Sequence, residues 1–452
     1  MTSPTPRRAV DRPLLVRAGA VLIAAALAYT SCGTLMPGAD GATGTSTNGV
    51  GPGVTDDSVK VVFIGTDLTR TASMTGFRNA DVGKPSEQVK ALETYVNANG
   101  GIAGRKLEAV YREYEASKDS PAAETALCSQ ITQDDKAFAV VLTGQLQSNA
   151  RPCYAQRRTL MLDATLIADD RATFTRLDPY LWTASYPEYD AFVTSFLNVL
   201  VARKFFDGRE RAGLVAADTP ANRSVYDKLV VPLLSKAGVT VTVNWIDTTS
   251  LGTLNSGLSQ AAVDFRGKRI DRVFFLGGAR LAPFFMTSAK AQSFTARYGV
   301  STFDSPVFMV NNPGTVPPES LAGMTGIGFA PANDVPDTQL TFPDTGAEKN
   351  CLDIYRRAGI TFAKRENARV AFTYCDAALL LHGAARDLGP NLNAAAWGAA
   401  ARALGPSFST AGGFGGELGP DGYAAGTGYR VLEYDTGCTC FKYDGPVTPL
   451  GR

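Results

Sequence analysis

Residues able to do chemistry are few and dispersed along the 452 positions of the chain. His382 is the sole histidine and follows Leu379-Leu380-Leu381 in a helix-forming stretch, a setting for a packed imidazole rather than a lone base. Hydrolytic, zinc and proton-relay schemes that need two imidazoles are therefore excluded. There is no Gly-x-Ser-x-Gly elbow, no His-Glu-x-x-His pair and no Gly-x-x-x-x-Gly-Lys-(Ser/Thr) loop to supply a nucleophile, a metal pair or a phosphate cradle. What remains are short hydrogen-bonding segments behind apolar runs. The first, Thr66-Asp67-Leu68-Thr69-Arg70-Thr71, offers hydroxyls, a carboxylate and a guanidinium, with Thr66 and Asp67 its candidates for meeting a zwitterion. No cofactor and no metal are expected.

The cysteines argue for an oxidising compartment. Setting Cys32 aside, six remain, Cys128, Cys153, Cys351, Cys375, Cys438 and Cys440, an even number suited to three disulfides. Cys128 and Cys153 fall on consecutive expected helices, as do Cys351 and Cys375, which makes these the preferred pairs among fifteen connectivities. Cys438-Thr439-Cys440 is either a very small structural ring at a bend or a redox pair; a four-thiolate metal site would need a second close pair.

The N-terminus agrees with export. Arg7, Arg8, Arg12 and Arg17 precede the uncharged run Ala18 to Ala28, which has 11 residues where a spanning helix needs about 20. Residues 1–31 are expected to be a signal peptide. Small residues before Cys32 resemble the bacterial lipoprotein signal, which implies lipidation of Cys32 and anchoring at the outer face of the cell membrane; cleavage near Ser31, giving a secreted soluble form, is the alternative. Residues 32–57, rich in Gly, Thr and Ser, are expected to be a flexible tether. With 44 basic against 43 acidic residues and no basic run beyond the N-terminus, no nucleic-acid partner is expected.

These candidate residues need a scaffold, and the chain alternates accordingly. Apolar runs at Val59 to Ile64, Leu107 to Tyr111, Ala137 to Leu142 and Leu160 to Leu162 alternate with helix-period stretches, the pattern of a parallel sheet covered by helices. A second series runs through Ala212 to Ala217, Val239 to Trp245, Arg272 to Leu276 and Val307 to Val310, with one long helix expected over Leu281 to Tyr298. The fold class is α/β, with two Rossmann-like lobes. After Asn311 the sheet pattern stops, until Gly428 to Tyr434 and Thr439 to Tyr443 add antiparallel strands.

The helix end Asn97-Ala98-Asn99-Gly100-Gly101-Ile102-Ala103-Gly104-Arg105-Lys106 resembles a signature of the type I periplasmic binding proteins of the branched-chain-amino-acid kind. Val54-Thr55-Asp56-Asp57, Asp135-Lys136-Ala137-Phe138-Ala139-Val140-Val141 and Tyr374-Cys375-Asp376-Ala377 extend the resemblance over most of residues 54 to 443. It implies two lobes joined by three crossover segments around a ligand cleft, with crossovers near 182, 310 and 416. Residues 58–182 and 310–416 would form lobe 1, and 183–309 and 417–452 lobe 2. It implies a monomeric solute-binding protein, not an enzyme, that hands a small polar metabolite (amino acid, amide or small organic acid) to an ABC permease. A ligand-sensing receptor without transport and an extracellular enzyme are the alternatives.

The resemblance also directs attention to the loops behind the strands. Gln145 and Ser148 stand where hydroxyl and N–H groups contact a carboxylate, and Ala164 and Thr165 where a carbonyl and a hydroxyl hold an amino group. The second lobe offers Tyr186, Asn222 and Arg280. Arg280 occupies a position where amino-acid binders often carry an acid, and facing the cleft it would favour an anion; a solvated helix start is its other reading.

Overall fold

The computed structural model describes residues 48–278 and 280–451; the expected signal at 1–31, Cys32 and the tether as far as residue 47 lie outside the described residues. Bulky β-branched runs form the central strands, as their fit to a doubly covered pleated surface requires. The first sheet contains β1 (Ser58–Asp67), β2 (Lys106–Glu115), β3 (Ala139–Leu142), β4 (Leu160–Asp163) and β5 (Leu181–Pro187). The second contains β6 (Arg211–Ala217), β7 (Thr240–Ile246), β8 (Arg272–Leu276), β9 (Arg297–Ser301) and β10 (Thr325–Gly328). Then β11 (Ala424–Gly426) returns to the first sheet, while β12 (Gly428–Asp435) and β13 (Cys440–Pro449) complete the second. The strand orders are β11-β5-β4-β3-β1-β2 and β13-β12-β10-β9-β8-β6-β7. Every pair is parallel except β10–β12 and β12–β13.

Helices cover both faces of these sheets. The helix Pro85–Ala98 buries Val89, Leu92 and Val96, and Arg369–Ala385 buries Phe372, Tyr374, Leu380 and Leu381 in the same core. Disulfides join Cys128 to Cys153 and Cys351 to Cys375, each linking two helices, and Cys438 to Cys440 at the turn between β12 and β13. The His382 ring is packed against the glycine signature, its Nδ1 lying 2.7 Å from the Gly101 carbonyl.

Five expectations need correction. Residues 49–57, read as tether, are bonded to the body: Gly51 N–H donates to Leu392 O (2.8 Å), Gly49 N–H to Asn391 Oδ1 (3.1 Å), and Val54 bridges to Val59. The segment 307–310 is a short helix, Pro306–Val310, because Pro306 takes the first helical position, where its missing N–H costs nothing. The long helix expected to reach Tyr298 ends at Ala291, and the chain continues as β9. Consequently Thr325–Gly328, assigned to lobe 1 by a division at 310, pairs with β9 and β12 in the second sheet. Ser185 and Tyr186 likewise belong to β5 of the first sheet.

Candidate functional site

In each sheet a strand is flanked by neighbours reached in opposite directions: β1 lies between β2 and β3, and β6 between β7 and β8. Loops leaving the carboxyl ends at such a switch point diverge and open a crevice, the usual ligand position in α/β sheets. The two crevices face each other here. A chamber of about 320 Å³ is walled by first-sheet loops at Thr66 to Thr75 and Thr143 to Leu146, by Ala164 and Tyr186, and by Arg280, Phe284, Val307 and Phe308 from elements of the second lobe. A second cavity of about 590 Å³ lies against Ser148, Asp169, Asp218, Asn222, Thr248 and Arg280. Leu146, Leu166 and Arg280 line both.

The sequence-derived residues divide between these spaces. Thr66, Gln145, Ala164, Tyr186 and Arg280 line the first chamber; Ser148 and Asn222 line the second, which Arg280 also reaches. Asp67 lines neither: its Oδ1 accepts the Thr69 N–H (2.9 Å), which caps the following turn and holds its carboxyl below the usual range. Thr165 also lines neither. Its Oγ1 donates to Asp163 Oδ1 (2.7 Å) and accepts from the buried Arg151 guanidinium (3.3 Å), so this hydroxyl is spent inside the first lobe.

Gln145 differs from both. It is 2% exposed, and neither its Nε2 nor its Oε1 has a hydrogen-bond partner. An unpaired buried amide costs about 1–3 kcal/mol per orphaned group, a cost that a molecule bringing its own donor and acceptor into the chamber would relieve. Thr71 Oγ1, in the same wall, is also buried without a partner. The Thr143–Leu146 loop reaches this position because Gly144, at φ +72°, lets Thr66 approach; a Cβ there would lie 2.3 Å from Thr66 Oγ1. Asn222 plays a smaller counterpart in the second cavity, with Nδ2 donating to Ala217 O (2.9 Å) and Oδ1 unpaired.

Between the two spaces lies a group that the sequence reading missed. Asp119, with its side chain 1% exposed, accepts from Tyr114 Oη (3.0 Å) and Gln147 Nε2 (2.7 Å) of its own lobe and from Arg280 Nη2 (2.9 Å) of the other. Gln147 Nε2 also donates to Thr248 O across the cleft (3.0 Å). Burial lowers the Arg280 pKa while the Asp119 charge opposes the shift. Arg280 therefore faces the cleft, but as half of an interlobe ion pair. The lobes also touch where Gly278 passes Leu166: a Cβ on Gly278 would lie 2.3 Å from the Leu166 carbonyl. Arg369, Phe77, Phe284 and Phe308 complete the first chamber, and no sequence signal marked them.

Behind Asp119, Glu124 is buried with Oε1 unpaired, and burial, reinforced by the Asp119 charge, pushes its carboxyl up to about 8. The folded chain thus keeps a proton that the unfolded chain releases near the ordinary value of 4.5. The stability that this proton contributes is complete below that value and is lost as pH climbs through about 8. Glu124→Gln is expected to unfold at a urea midpoint close to the parent at about pH 5 and above it at about pH 9. Equal midpoints at both pH values would count against the assignment.

A family model described as periplasmic binding protein matches residues 71–439. The chain belongs to that family. No curated protein matches it in sequence. Among solved structures, this periplasmic binding protein is similar to the branched-chain amino acid transporter substrate-binding protein LivJ of Streptococcus pneumoniae in complex with isoleucine, at 15% identity and a TM-score of 0.57, with 87% of this chain and 100% of that one covered. It is also similar to a fatty acid ABC transporter substrate-binding protein from Thermomonospora curvata (16% identity, TM-score 0.60, 89% and 94% covered). A third likeness is to an ABC transporter solute-binding protein from R. palustris in complex with benzoate (14%, 0.58, 87% and 98%). At such identities the likeness is one of fold: two α/β lobes with parallel sheets, as in type I periplasmic binding proteins. Among the described residues no helix is long and apolar enough to cross a membrane.

Proposed function

We propose that this periplasmic binding protein is the extracytoplasmic receptor of an ABC uptake system, capturing a small metabolite (amino acid, amide or organic acid) between its lobes and presenting it to a membrane permease. Cys32 would carry the lipid that keeps the receptor at the outer face of the membrane. The single observation behind this reading is Gln145, a buried carboxamide without partners in a chamber walled from both lobes. Thr66, Ala164 and Tyr186 are the companions proposed for it, with Ser148 and Asn222 serving the second cavity. The three crossings are proposed as the hinge: after β5 at Pro187, between β10 and the helix Gly346–Arg357, and at Thr427 between β11 and β12. Family and neighbours alike are transport binding proteins, and the neighbours' bound solutes, isoleucine and benzoate, fit a cleft of this size.

A thermal-shift screen across metabolite classes, followed by small-angle scattering with each hit, tests the proposal. A true solute at 100 times its Kd adds about 2.7 kcal/mol of stability. The hit is expected to contract the scattering profile; a screen with no stabilising compound, or binding without contraction, would speak against solute capture.

A further inference from the structure

The first chamber is neutral in formal charge, two acids against two guanidiniums, but its charges are not all paired. Four of its lining residues are ionic: Asp119, Arg280, Glu366 and Arg369. Asp119 and Arg280 pair with each other at 2.9 Å. Both Glu366 oxygens accept from Asn311 Nδ2, each at 3.0 Å. Arg369 is left over. Its guanidinium, which carries five N–H donors, makes no ion pair and no side-chain hydrogen bond among the described residues; Glu366 attracts it only from beyond ion-pairing distance, and burial lowers its pKa. A half-buried cation without a hydrogen-bonded partner is held at a cost that an incoming anion would relieve.

The rest of the wall describes the remainder of that anion. Phe77 packs against Phe284 and Phe308 with centroids 5.0 and 5.1 Å apart, and Met74, Val82 and Val307 extend the apolar lining. Among the described residues of this wall both carboxylates, Asp119 and Glu366, already have partners, whereas the Gln145 amide and the Thr71 hydroxyl stand ready for a carboxylate or its neighbouring atoms. The space, about ten water volumes, suits roughly a dozen non-hydrogen atoms.

We propose that the first chamber selects monocarboxylates with an apolar body, and that Arg369 receives the carboxylate. This deepens the solute-receptor reading and rests on it. Calorimetric titration of the full chain with hexanoate, benzoate and 3-phenylpropionate, set against hexanamide, benzamide and leucine, provides the test. At least one carboxylate is expected to bind, its matched amide more than about 10-fold more weakly, and Arg369→Gln to lose roughly 30- to 100-fold in carboxylate affinity, so that the difference between acid and amide narrows. Arg369→Lys, which keeps the charge but not the fork, is expected to recover part of that loss. Equal binding of amide and acid, full affinity in Arg369→Gln with an unchanged melting temperature, or no carboxylate binding at all overturns the proposal. If leucine or another neutral compound binds and contracts the molecule in that last case, the receptor reading survives; if nothing in any class binds, both fall.

Discussion

Asp119→Ala is expected to open the cleft. The substitution strips Arg280, Gln147 and Tyr114 of their common acceptor in a site where the carboxylate is 1% exposed. Removing one member of a buried pair costs about 3–5 kcal/mol when the other charge stays buried. Here the stranded guanidinium has an escape, since separation of the lobes returns it to water. The penalty should therefore fall on the closed arrangement rather than on each lobe. On the order of 3 kcal/mol corresponds to roughly a 100-fold shift of the closed–open equilibrium and a similar fall in solute affinity. Scattering of the solute-free variant should show a larger radius of gyration than the parent, and Asp119→Asn, which keeps an acceptor for Arg280, should lie between. A variant as compact as the parent, with undiminished affinity, would show that the contact at Gly278 and Leu166 suffices to hold the lobes together.

That latch shows why the site was only partly legible. Loops behind β1, β3, β4 and β8 could be located because bulky apolar runs announce the strands before them, and the residues read there, Thr66, Gln145, Ala164 and Arg280, do line the chamber. What a residue faces is another matter. Arg280 is answered by an acid 161 positions away, and no local spacing records that distance. Thr165 looks like a free hydroxyl until Asp163 and Arg151 are seen to occupy it. The same holds for strands. Arg297-Tyr298-Gly299-Val300-Ser301 and Thr325-Gly326-Ile327-Gly328 lack the bulk of their neighbours because the packing forbids it: a Cβ on Gly326 would sit 1.8 Å from the Val300 carbonyl. The sequence pattern reads the first as the tail of a helix and the second as loop, and tertiary packing makes both strands. The helix–strand alternation survives this error, and so does the family resemblance, since both depend on the longer and bulkier elements.

The segment Tyr374-Cys375-Asp376-Ala377 carried the resemblance without revealing its purpose, and that purpose supports the second large expectation. Asp376, on the helix Arg369–Ala385, is buried and accepts from Ser185 Oγ (2.8 Å), Ala411 N–H (2.7 Å), Gly412 N–H (2.8 Å) and the Thr410 hydroxyl. Ser185 lies two residues before the end of β5, from which the chain first passes to the second lobe. Residues 410–412 lead into Phe414, whose N–H donates to Phe329 O (3.0 Å) just beyond β10 and whose carbonyl accepts from Thr427 N–H (3.0 Å) at the last passage. One carboxylate thus ties a helix of the first lobe to segments beside all three crossings. Asp376→Ala orphans four donors in a space too enclosed for water to serve them all, so a loss of about 3–5 kcal/mol is expected in urea unfolding. Asp376→Asn should lose less, because it keeps one acceptor, yet it must aim an NH₂ at some of the same donors. Because the loss arises at the crossings, solute affinity should fall together with stability and in proportion to it. A variant that unfolds at the parental midpoint would show that the crossings are held by their own backbone bonds and that Asp376 only fills space.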